Sequence, residues 1–279
     1  MKKPEIIFID LDGTTLDTPE KKFYERSATA YTKQVLTELN KSVPVVIATG
    51  RGVSEKTSAL VKDLTGTDTY IAWNGTKTVE NGVIVNEEIM DKEVAQELFS
   101  TLAKHFCFMI YNSNVKEQAF VKNRLFRWFM NGNGKYSAKS YKEYKNDFPV
   151  YKVLVWTLTG HKIRRLAKKW EKEFAGKLEI ALTGSKNNIL EITKANVSKG
   201  TEEVRYCLSK GIDPKNAMHI GDSLNDASTK GKIGTLVAMK NSVDELKAMA
   251  DDVTEFNCSE SGLAKYLEQF LPEKSQDNK

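Results

Sequence analysis

Residues 6–14 of the chain read IIFIDLDGT, a run of four apolar residues followed by two aspartates that flank a leucine. The apolar run, residues 6–9, is typical of a short strand that is buried on both faces within a parallel sheet. Open α/β sheets bind their ligands at the carboxyl ends of the strands. Asp10 and Asp12 come directly after this strand, so they are the first candidates for functional residues.

Two later segments place polar groups at the ends of predicted strands in the same way. The apolar strand 45–48 runs into Thr49-Gly50-Arg51, and the strand 217–220 runs into the sequence GDSLND at positions 221–226. Lys199 lies at the start of a predicted helix, shortly before the second of these strands. Because parallel strands bring their carboxyl ends to one edge of a sheet, we expect these groups to lie close together.

The order of the predicted elements indicates the fold and the domain organisation. Strand and helix patterns alternate up to residue 81 and again from residue 195, which predicts an α/β fold with a doubly wound, Rossmann-like parallel sheet. Residues 82–194 follow a hairpin signal at Asn81-Gly82 and lack this alternation. The sequence therefore predicts a core formed by residues 1–81 and 195–279, with 82–194 as an inserted α+β domain.

The side chains at the strand ends suggest a particular chemistry. Crowded carboxylates repel one another and take up protons unless a cation lies between them, and carboxylates with room for water suit magnesium. A lysine, a threonine hydroxyl and main-chain amides beside glycines suit the oxygens of a phosphate group. Together they predict a phosphoryl-transfer site. In such a site one aspartate can act as the nucleophile and a second as general acid and base.

The chain resembles the haloacid dehalogenase superfamily, and within it the Cof-type sugar-phosphate phosphatases. The resemblance covers almost the whole chain and is carried by four motifs in order. They are Asp10-Leu11-Asp12-Gly13-Thr14, Thr49-Gly50-Arg51, Val197-Ser198-Lys199-Gly200 and Gly221-Asp222-Ser223-Leu224-Asn225-Asp226. Asn74-Gly75 and Leu190-Glu191-Ile192 match as well. Any one motif is a weak signal, whereas four in order are specific.

This resemblance implies separate roles for the two aspartates of the first motif. Asp10 is expected to be the nucleophile and a Mg²⁺ ligand, and Asp12 the general acid and base, whose main-chain carbonyl is a further ligand. Asp222 is expected to complete the protein ligands of the metal, with Asp226 supporting them from behind. The residues expected to bind the phosphoryl group are Thr49, Lys199, Asn225 and, through their main-chain amides, Leu11 and Gly50.

The inserted domain lies between the second and third motifs, a position similar to that of a type II cap. By this resemblance it is expected to cover the site and select the substrate. It holds 20 Lys and Arg against 12 Asp and Glu, a net charge of +8, while the rest of the chain is slightly acidic. This charge is consistent either with an anionic ligand or with a solvated, lysine-rich surface.

Three residues depart from the usual family pattern. Thr15 stands where a leucine is usual, Thr229 where a methionine is usual, and Lys240 where a glycine is usual. None of the three is expected to touch the catalytic groups. Lys240 nevertheless weakens any inference about the substrate that is drawn from its loop.

Composition narrows the class of protein. No stretch approaches the length of a membrane span and no signal peptide is recognised, so a cytoplasmic protein without membrane contact is expected. The three cysteines and three histidines share no metal-ligand spacing, which favours ordinary packing or surface roles for all six. Basic and aromatic residues mix within 120–144, but no nucleic-acid motif accompanies them, so no nucleic-acid partner is expected.

The sequence therefore predicts a magnesium-dependent phosphatase, a phosphoric monoester hydrolase that acts on small phosphorylated metabolites through an aspartyl-phosphate. A monomer or small homo-oligomer is expected. Sugar phosphates, nucleotides, flavin mononucleotide and pyridoxal phosphate are all compatible with the family. Two alternatives stay open. One is a phosphotransferase or phosphomutase on the same core, and the other is a regulatory module that binds a phosphorylated ligand without turnover.

Overall fold

The computed structural model describes residues 2–19, 26–132, 134–157, 159–183 and 188–272. The chain divides into one unit made of Met1–Val85 and Lys199–Lys279 and a second made of Asn86–Ser198. The first limit lies a few residues beyond the expected boundary at 82, because the strand that follows Gly82 belongs to the sheet of the first unit. The second limit lies a few residues beyond 194. The polar tail 273–279, which is predicted from its sequence to fray, lies outside the described residues.

The regular elements are numbered in chain order. The strands are β1 (Ile6–Ile9), β2 (Val45–Ala48), β3 (Tyr70–Ala72), β4 (Lys77–Glu80), β5 (Val83–Glu87), β6 (Phe108–Tyr111), β7 (Ala119–Val121), β8 (Lys139–Ser140), β9 (Lys152–Trp156), β10 (Leu178–Thr183), β11 (Ile189–Lys194), β12 (Ala217–Gly221), β13 (Thr235–Ala238) and β14 (Asp252–Val253). The α-helices are α1 (Ala30–Leu39), α2 (Glu55–Thr65), α3 (Lys92–Ala103), α4 (Arg124–Asn131), α5 (Gly160–Glu173), α6 (Lys199–Ser209), α7 (Asp244–Met249) and α8 (Gly262–Leu267).

The first unit is built on an eight-stranded sheet in the order β14-β13-β12-β1-β2-β3-β4-β5. β1 lies parallel to β12 on one side, with Ile6 opposite Ala217, and parallel to β2 on the other, with Ile7 opposite Val45. Helices α1, α2 and α8 pack on one face of the sheet and α6 packs on the other. All four residues of β1 are therefore buried. The predicted doubly wound α/β fold is confirmed.

Local sequence explains several of the element ends. Helix α2 begins after Ser54, whose hydroxyl accepts a hydrogen bond from the Thr57 amide, and ends at Gly66, whose φ of 75° suits glycine. Asn81 and Gly82 join β4 to β5 with φ values of 50° and 81°. Both angles lie in the left-handed region that a type I′ turn requires, so the hairpin signal is confirmed.

The second unit contains a six-stranded sheet in the order β10-β11-β9-β6-β7-β8. Its pairings are antiparallel except for β7 with β8, which is parallel. Helices α3 and α5 pack on one face of this sheet, around the buried Trp170. This mixture of strands and helices is the predicted inserted α+β domain.

The segment 115–148, for which the sequence predicts no clear element, contains β7, α4 and β8. Phe126 and Met130 of α4 pack with Phe108 of β6. Trp128 and Phe129 of the same helix are exposed, so its aromatic residues are not all packed inside the unit.

Among the helices within the described ranges, none combines the length and the apolar character that crossing a membrane would require.

Candidate active site

The predicted site residues lie in the loops after β1, β2 and β12, except for Lys199, which begins α6. β1 is the strand between the other two. The Asp10 amide donates a hydrogen bond to the Ile220 carbonyl at 3.0 Å, which ties the end of β1 to β12. The Asp10 carbonyl in turn accepts a hydrogen bond from the Thr15 hydroxyl at 2.5 Å. The main chain of Asp10 is therefore fixed on both sides.

Lys199 joins the aspartates of the first and fourth motifs. Its Nζ donates to Asp10 Oδ1 at 2.5 Å and to Asp226 Oδ1 at 2.7 Å, and all three side chains are buried. Burial alone would lower the pKa of Lys199, but the two carboxylates outweigh it and hold the pKa above its usual value. Burial raises the pKa of Asp10 to about 6, against the opposing effect of Lys199.

Asp226 lies at the centre of a network of hydrogen bonds. Its Oδ2 accepts from the main-chain amides of Asp222 and Ser223, each at 3.0 Å. Its Oδ1 accepts from Lys199 and lies 2.9 Å from His219 Nε2. Burial alone would raise the pKa of Asp226, but Lys199 and His219 outweigh it and hold the pKa well below its usual range. Asp226 thus stays ionised and fixes both Lys199 and the loop that carries Asp222.

Asp12 is held by Arg51, a residue of the second motif that sequence reasoning left without a role. Arg51 donates from Nε to Asp12 Oδ2 at 2.7 Å and from Nη2 to Asp12 Oδ1 at 2.5 Å. Two parallel bonds of this kind fix the direction of a carboxylate as well as pairing its charge. The second motif therefore supplies a positioning group for Asp12.

Asp222 is the second carboxylate of the expected metal site. Burial and the nearby charge of Asp10 raise the pKa of Asp222 well above its usual value. A Cβ on Gly13 would overlap Asp222 Oδ2, so only a glycine lets the first motif approach this carboxylate. A divalent cation would relieve the repulsion between Asp10 and Asp222.

The donor set fits magnesium. Two carboxylates, from Asp10 and Asp222, and the main-chain carbonyl of Asp12 offer the oxygen ligands that this ion prefers. Within the described ranges, no group of three His, Cys, Asp or Glu side chains is arranged to hold a metal ion. The ion would therefore depend on these two carboxylates, the carbonyl and water.

Three of the residues expected to bind the phosphoryl group, Thr49, Gly50 and Asn225, lie around Asn74, which follows β3. The Asn74 amide donates to the Thr49 carbonyl at 2.9 Å, and Asn225 Nδ2 donates to Asn74 Oδ1 at 3.1 Å. Asn74 Nδ2 and Thr14 Oγ1 are buried and have no hydrogen-bond partner among the described residues. Buried polar groups are normally paired, so these two atoms suit an anionic ligand that supplies the missing acceptors.

Leu11 and Gly50 are expected to contribute main-chain amides. The Leu11 carbonyl accepts hydrogen bonds from the amides of Thr15 and Leu16, which closes the first motif into a tight turn. A Cβ on Gly50 would lie 3.4 Å from Asn74 Oδ1. The structure therefore places Gly50 beside Asn74 and Leu11 in the turn that carries Asp10 and Asp12.

The expectation that none of the three departures from the family pattern touches the catalytic groups is wrong for two of them. The Thr15 hydroxyl donates to the Asp10 carbonyl, and the Thr229 hydroxyl donates to the Asp226 carbonyl at 2.8 Å. Each threonine therefore fixes the main chain of a site aspartate. Beside Lys240, Asn241 donates from Nδ2 to the Gly13 carbonyl at 2.8 Å and so supports the first motif.

Sequence reasoning missed a buried pair behind the site. It gave His219 an ordinary packing or surface role and did not single out Glu203, yet His219 Nδ1 lies 2.7 Å from Glu203 Oε1 and both side chains are fully buried. A signal for each was present. His219 is a polar residue inside an apolar strand, and Glu203 follows Lys199 at a spacing of four, which puts both on one helix face.

Comparison with known proteins gives the family. The model of the haloacid dehalogenase-like hydrolase family matches residues 7–267. A 5-amino-6-(5-phospho-D-ribitylamino)uracil phosphatase of Bacillus subtilis is 26% identical over 295 residues, which cover 95% of this chain and 97% of that protein. A phosphoglycolate phosphatase of Methanobrevibacter smithii is 26% identical, with 96% and 98% covered. The solved structure of a haloacid dehalogenase-like hydrolase from Bacillus subtilis has a TM-score of 0.75 at 21% identity, with 96% and 100% covered.

Proposed function

This chain belongs to the haloacid dehalogenase-like hydrolase family, and on that premise we propose that it is a magnesium-dependent phosphatase of small phosphorylated metabolites. The observation that carries the proposal is the position of Asp10, whose carboxylate lies 2.5 Å from Lys199 Nζ at the carboxyl end of β1. The reaction passes through an aspartyl-phosphate on Asp10, which water then hydrolyses.

In the first step the Asp10 carboxylate attacks phosphorus, and the bond from phosphorus to the ester oxygen breaks. Lys199 lies against Asp10 and stays protonated, so its charge stabilises the negative charge that gathers on the phosphoryl oxygens. We assign to these oxygens the unpaired buried donors of Asn74 and Thr14. We also assign the phosphoryl oxygens to Thr49, Asn225 and the amides of Leu11 and Gly50.

Asp12 moves the proton in both steps. It gives a proton to the leaving oxygen and then takes one from the water that attacks the aspartyl-phosphate. Arg51 binds both oxygens of Asp12 and so directs its carboxylate. The roles of Asp10 and Asp12 are thus separated by their partners, a buried lysine for the nucleophile and a bidentate arginine for the acid and base.

A magnesium ion would be held by the carboxylates of Asp10 and Asp222 and by the main-chain carbonyl of Asp12. When bound, the ion supplies charge neutralisation for the phosphoryl group. Asp226 keeps the loop of Asp222 in place through its hydrogen bonds to the amides of Asp222 and Ser223.

The second unit, Asn86–Ser198, is the part of the chain that we assign to substrate selection. The two curated relatives described above are named for small phosphorylated molecules, which supports a substrate of that size. A sugar phosphate, a nucleotide, flavin mononucleotide or pyridoxal phosphate fits this description. The excess of basic residues in 82–194 favours a substrate that carries a second anionic group beyond the transferred phosphate.

A screen of phosphorylated metabolites with and without Mg²⁺ tests the function. We expect release of inorganic phosphate that depends on the metal and falls by roughly a thousandfold or more in Asp10→Asn, which lacks the nucleophile. Asp63→Asn is the matched control, because Asp63 forms a half-exposed ion pair with Lys33 and is not part of the site. Wild-type activity in Asp10→Asn would contradict the proposal.

The same screen separates the alternatives. A phosphomutase would yield an isomerised sugar phosphate instead of free phosphate. A regulatory module would bind a metabolite tightly without metal-dependent release. If substrates without a second anionic group were preferred and lysine variants in 82–194 had no effect, the inference from charge would be wrong.

A further inference from the structure

Five buried ionisable side chains form a continuous line that begins at the nucleophile. In order they are Asp10, Lys199, Asp226, His219 and Glu203, with consecutive contacts of 2.5, 2.7, 2.9 and 2.7 Å. All five side chains are buried. The catalytic scheme above uses the first three. It gives no role to His219 and Glu203.

Stability alone does not account for the last two members. A buried charged group is unfavourable unless its partners compensate for the lost water, and well-packed apolar residues are often at least as stabilising as a buried ion pair. Glu203 is paired through Oε1, while its Oε2 is buried without a hydrogen-bond partner in the part of the chain that the structure describes. The pair therefore carries a penalty that apolar side chains at the same positions would avoid.

The geometry of the pair determines where the proton of His219 lies. Nδ1 faces Glu203 and Nε2 faces Asp226. Without a partner at Nδ1, a neutral imidazole could place its proton on either nitrogen, and one tautomer would turn a bare nitrogen toward the Asp226 carboxylate. With Glu203 at Nδ1, the ring can carry both protons or can accept a hydrogen bond from a protonated Glu203. The third arrangement, a neutral ring that donates from Nδ1 to an ionised Glu203, is disfavoured because it sets a bare Nε2 against the Asp226 carboxylate, which can only accept. Nε2 therefore carries an N–H that donates to Asp226.

The electrostatic surroundings agree with this assignment. Burial alone would lower the pKa of His219, but Glu203 and Asp226 outweigh it and raise the pKa to about 9. Asp226 then receives four hydrogen bonds, from His219, Lys199 and the amides of Asp222 and Ser223. Loss of the His219 bond would remove one of the two donors to Asp226 Oδ1 and so weaken the hold of this carboxylate on Lys199.

We propose that His219 and Glu203 are positioning residues for phosphoryl transfer, in which Glu203 keeps the N–H of His219 directed at Asp226 and Asp226 thereby holds Lys199 against Asp10. This role rests on the proposed phosphatase function and adds two residues that touch neither substrate nor metal. It resembles the support that carboxylates give to metal-bound histidines, where the second residue fixes the tautomer and direction of the first.

Three variants test the role on p-nitrophenyl phosphate. Glu203→Leu removes the partner of Nδ1, and Glu203→Leu/His219→Leu removes both residues without leaving an unpaired buried group. We expect kcat to fall roughly tenfold in both, with KM changed by less than about twofold, as for other residues that act from behind a site. Glu203→Gln should keep most of kcat, because an amide N–H can donate to Nδ1 and leave the proton on Nε2.

Glu202→Gln is the matched control. Glu202 is the neighbouring buried carboxylate on α6, but it pairs with Thr78 and Arg205 and takes no part in the line to Asp10. Its kcat should be that of the wild-type protein. Wild-type kcat in both leucine variants, or an equal loss in Glu202→Gln, would overturn the positioning role.

A second measurement does not depend on turnover. In ¹⁵N-labelled protein the Lys199 ammonium protons should exchange slowly with water, because Nζ is buried between two carboxylates. Their signal should broaden or disappear in the double leucine variant and persist in Glu202→Gln. A wild-type protein that hydrolyses no phosphate ester would defeat the proposed function alone, whereas an unchanged lysine signal in the double variant would defeat the positioning role.

Discussion

Arg51 binds both carboxylate oxygens of Asp12, at 2.7 Å from Nε and 2.5 Å from Nη2. The arginine belongs to the motif after β2 and the aspartate to the motif after β1, so the bridge joins two loops of the sheet edge. Because each oxygen of Asp12 accepts from the same guanidinium, the plane of the carboxylate is fixed, while a second lone pair on each oxygen remains for the proton that Asp12 is proposed to carry. Arg51 therefore orients the carboxylate that we propose as the general acid and base.

Arg51→Gln should lower kcat by different factors for two phosphate esters. Without the bidentate bridge Asp12 loses its fixed direction. We therefore expect the largest fall in kcat for esters whose leaving group must be protonated. We expect kcat to fall roughly tenfold or more for glycerol 2-phosphate and by less than about threefold for p-nitrophenyl phosphate, whose leaving group needs little protonation. Steady-state kinetics on both esters measures this, with Arg205→Gln on α6 as control. An equal loss on the two esters would show that the bridge does not act through Asp12.

Gly13→Ala should abolish activity while leaving the protein folded. Gly13 has a φ of 91°, and a Cβ there would overlap Asp222 Oδ2, so alanine displaces a proposed metal ligand. Gly66→Ala is the matched control, because Gly66 has a φ of 75° and no atom within 4 Å of the added Cβ. The left-handed backbone should cost each variant about 1–2 kcal/mol in the free energy of unfolding. Urea titration measures the free energy of unfolding, and phosphate release measures the activity. An active Gly13→Ala protein would be inconsistent with the close approach of Gly13 to Asp222.

Stability should fall as pH rises through the titration of His219. Burial alone would lower its pKa, but Glu203 and Asp226 raise the pKa to about 9 in the folded protein, against an ordinary value of 6.5. The folded state therefore binds this proton more tightly than the unfolded chain. Its contribution is fully present below the unfolded pKa and is lost as pH rises through the folded pKa, an effect of at most roughly 3 kcal/mol.

Urea unfolding between about pH 6 and about pH 10 measures this loss. Asp10 and Asp222, whose pKa values are also raised, act in the same direction, so the share of the buried pair is the difference between the wild-type protein and the double variant. The pKa of Glu203 is also raised by burial, so its titration acts in the same direction. In Glu203→Leu/His219→Leu the decline should be clearly shallower. A wild-type protein and a double variant with the same pH dependence would exclude His219 as its source.

The three cysteines should be unreactive in the native protein. Cys107, Cys207 and Cys258 are free and buried, and burial raises the pKa of Cys107 to about 11 and of the other two to about 12. Because the thiolate is the reactive form, alkylation by iodoacetamide at about pH 8 should be at least roughly a hundredfold slower than in urea. Mass spectrometry after timed alkylation follows each thiol. Fast native labelling of any of the three would mean that its region opens readily.

The convergence of Asp10, Thr49 and Asp222 on one sheet edge could be predicted because parallel strands impose it. Each follows an apolar run that has no other stable place than the interior of such a sheet, and the β1, β2 and β12 register confirms that prediction of the fold. The functional roles of these residues stay predictions.

Side-chain pairings across the fold were out of reach from the sequence. The sequence places Arg51 in the second motif, but the contact of Arg51 with Asp12 depends on the direction in which a long side chain points. Glu203 and His219 meet because α6 packs on the face of the sheet where His219 points, and no periodic pattern records that contact. The strand β14 has two residues, too few for any pattern.

Helix α4 was missed for a different reason. An amphipathic helix is recognised by apolar residues on one face and polar residues on the other. Helix α4 has only eight residues, fewer than the window of about 11 to 18 residues over which a helical period can be read, so its pattern is too short to be decisive.

The pairing of Ile6 with Ala217 has a consequence for how the protein is made. A ribosome that has released residues 6–198 has delivered Asp10 but neither Lys199 nor β12. Until the remaining segment emerges, β1 has an unpaired edge, and pairings between such distant segments form slowly. The nascent chain therefore cannot complete the proposed catalytic centre before Asp226 has emerged. Until then it contains the proposed nucleophile Asp10 without the full set of groups that position it.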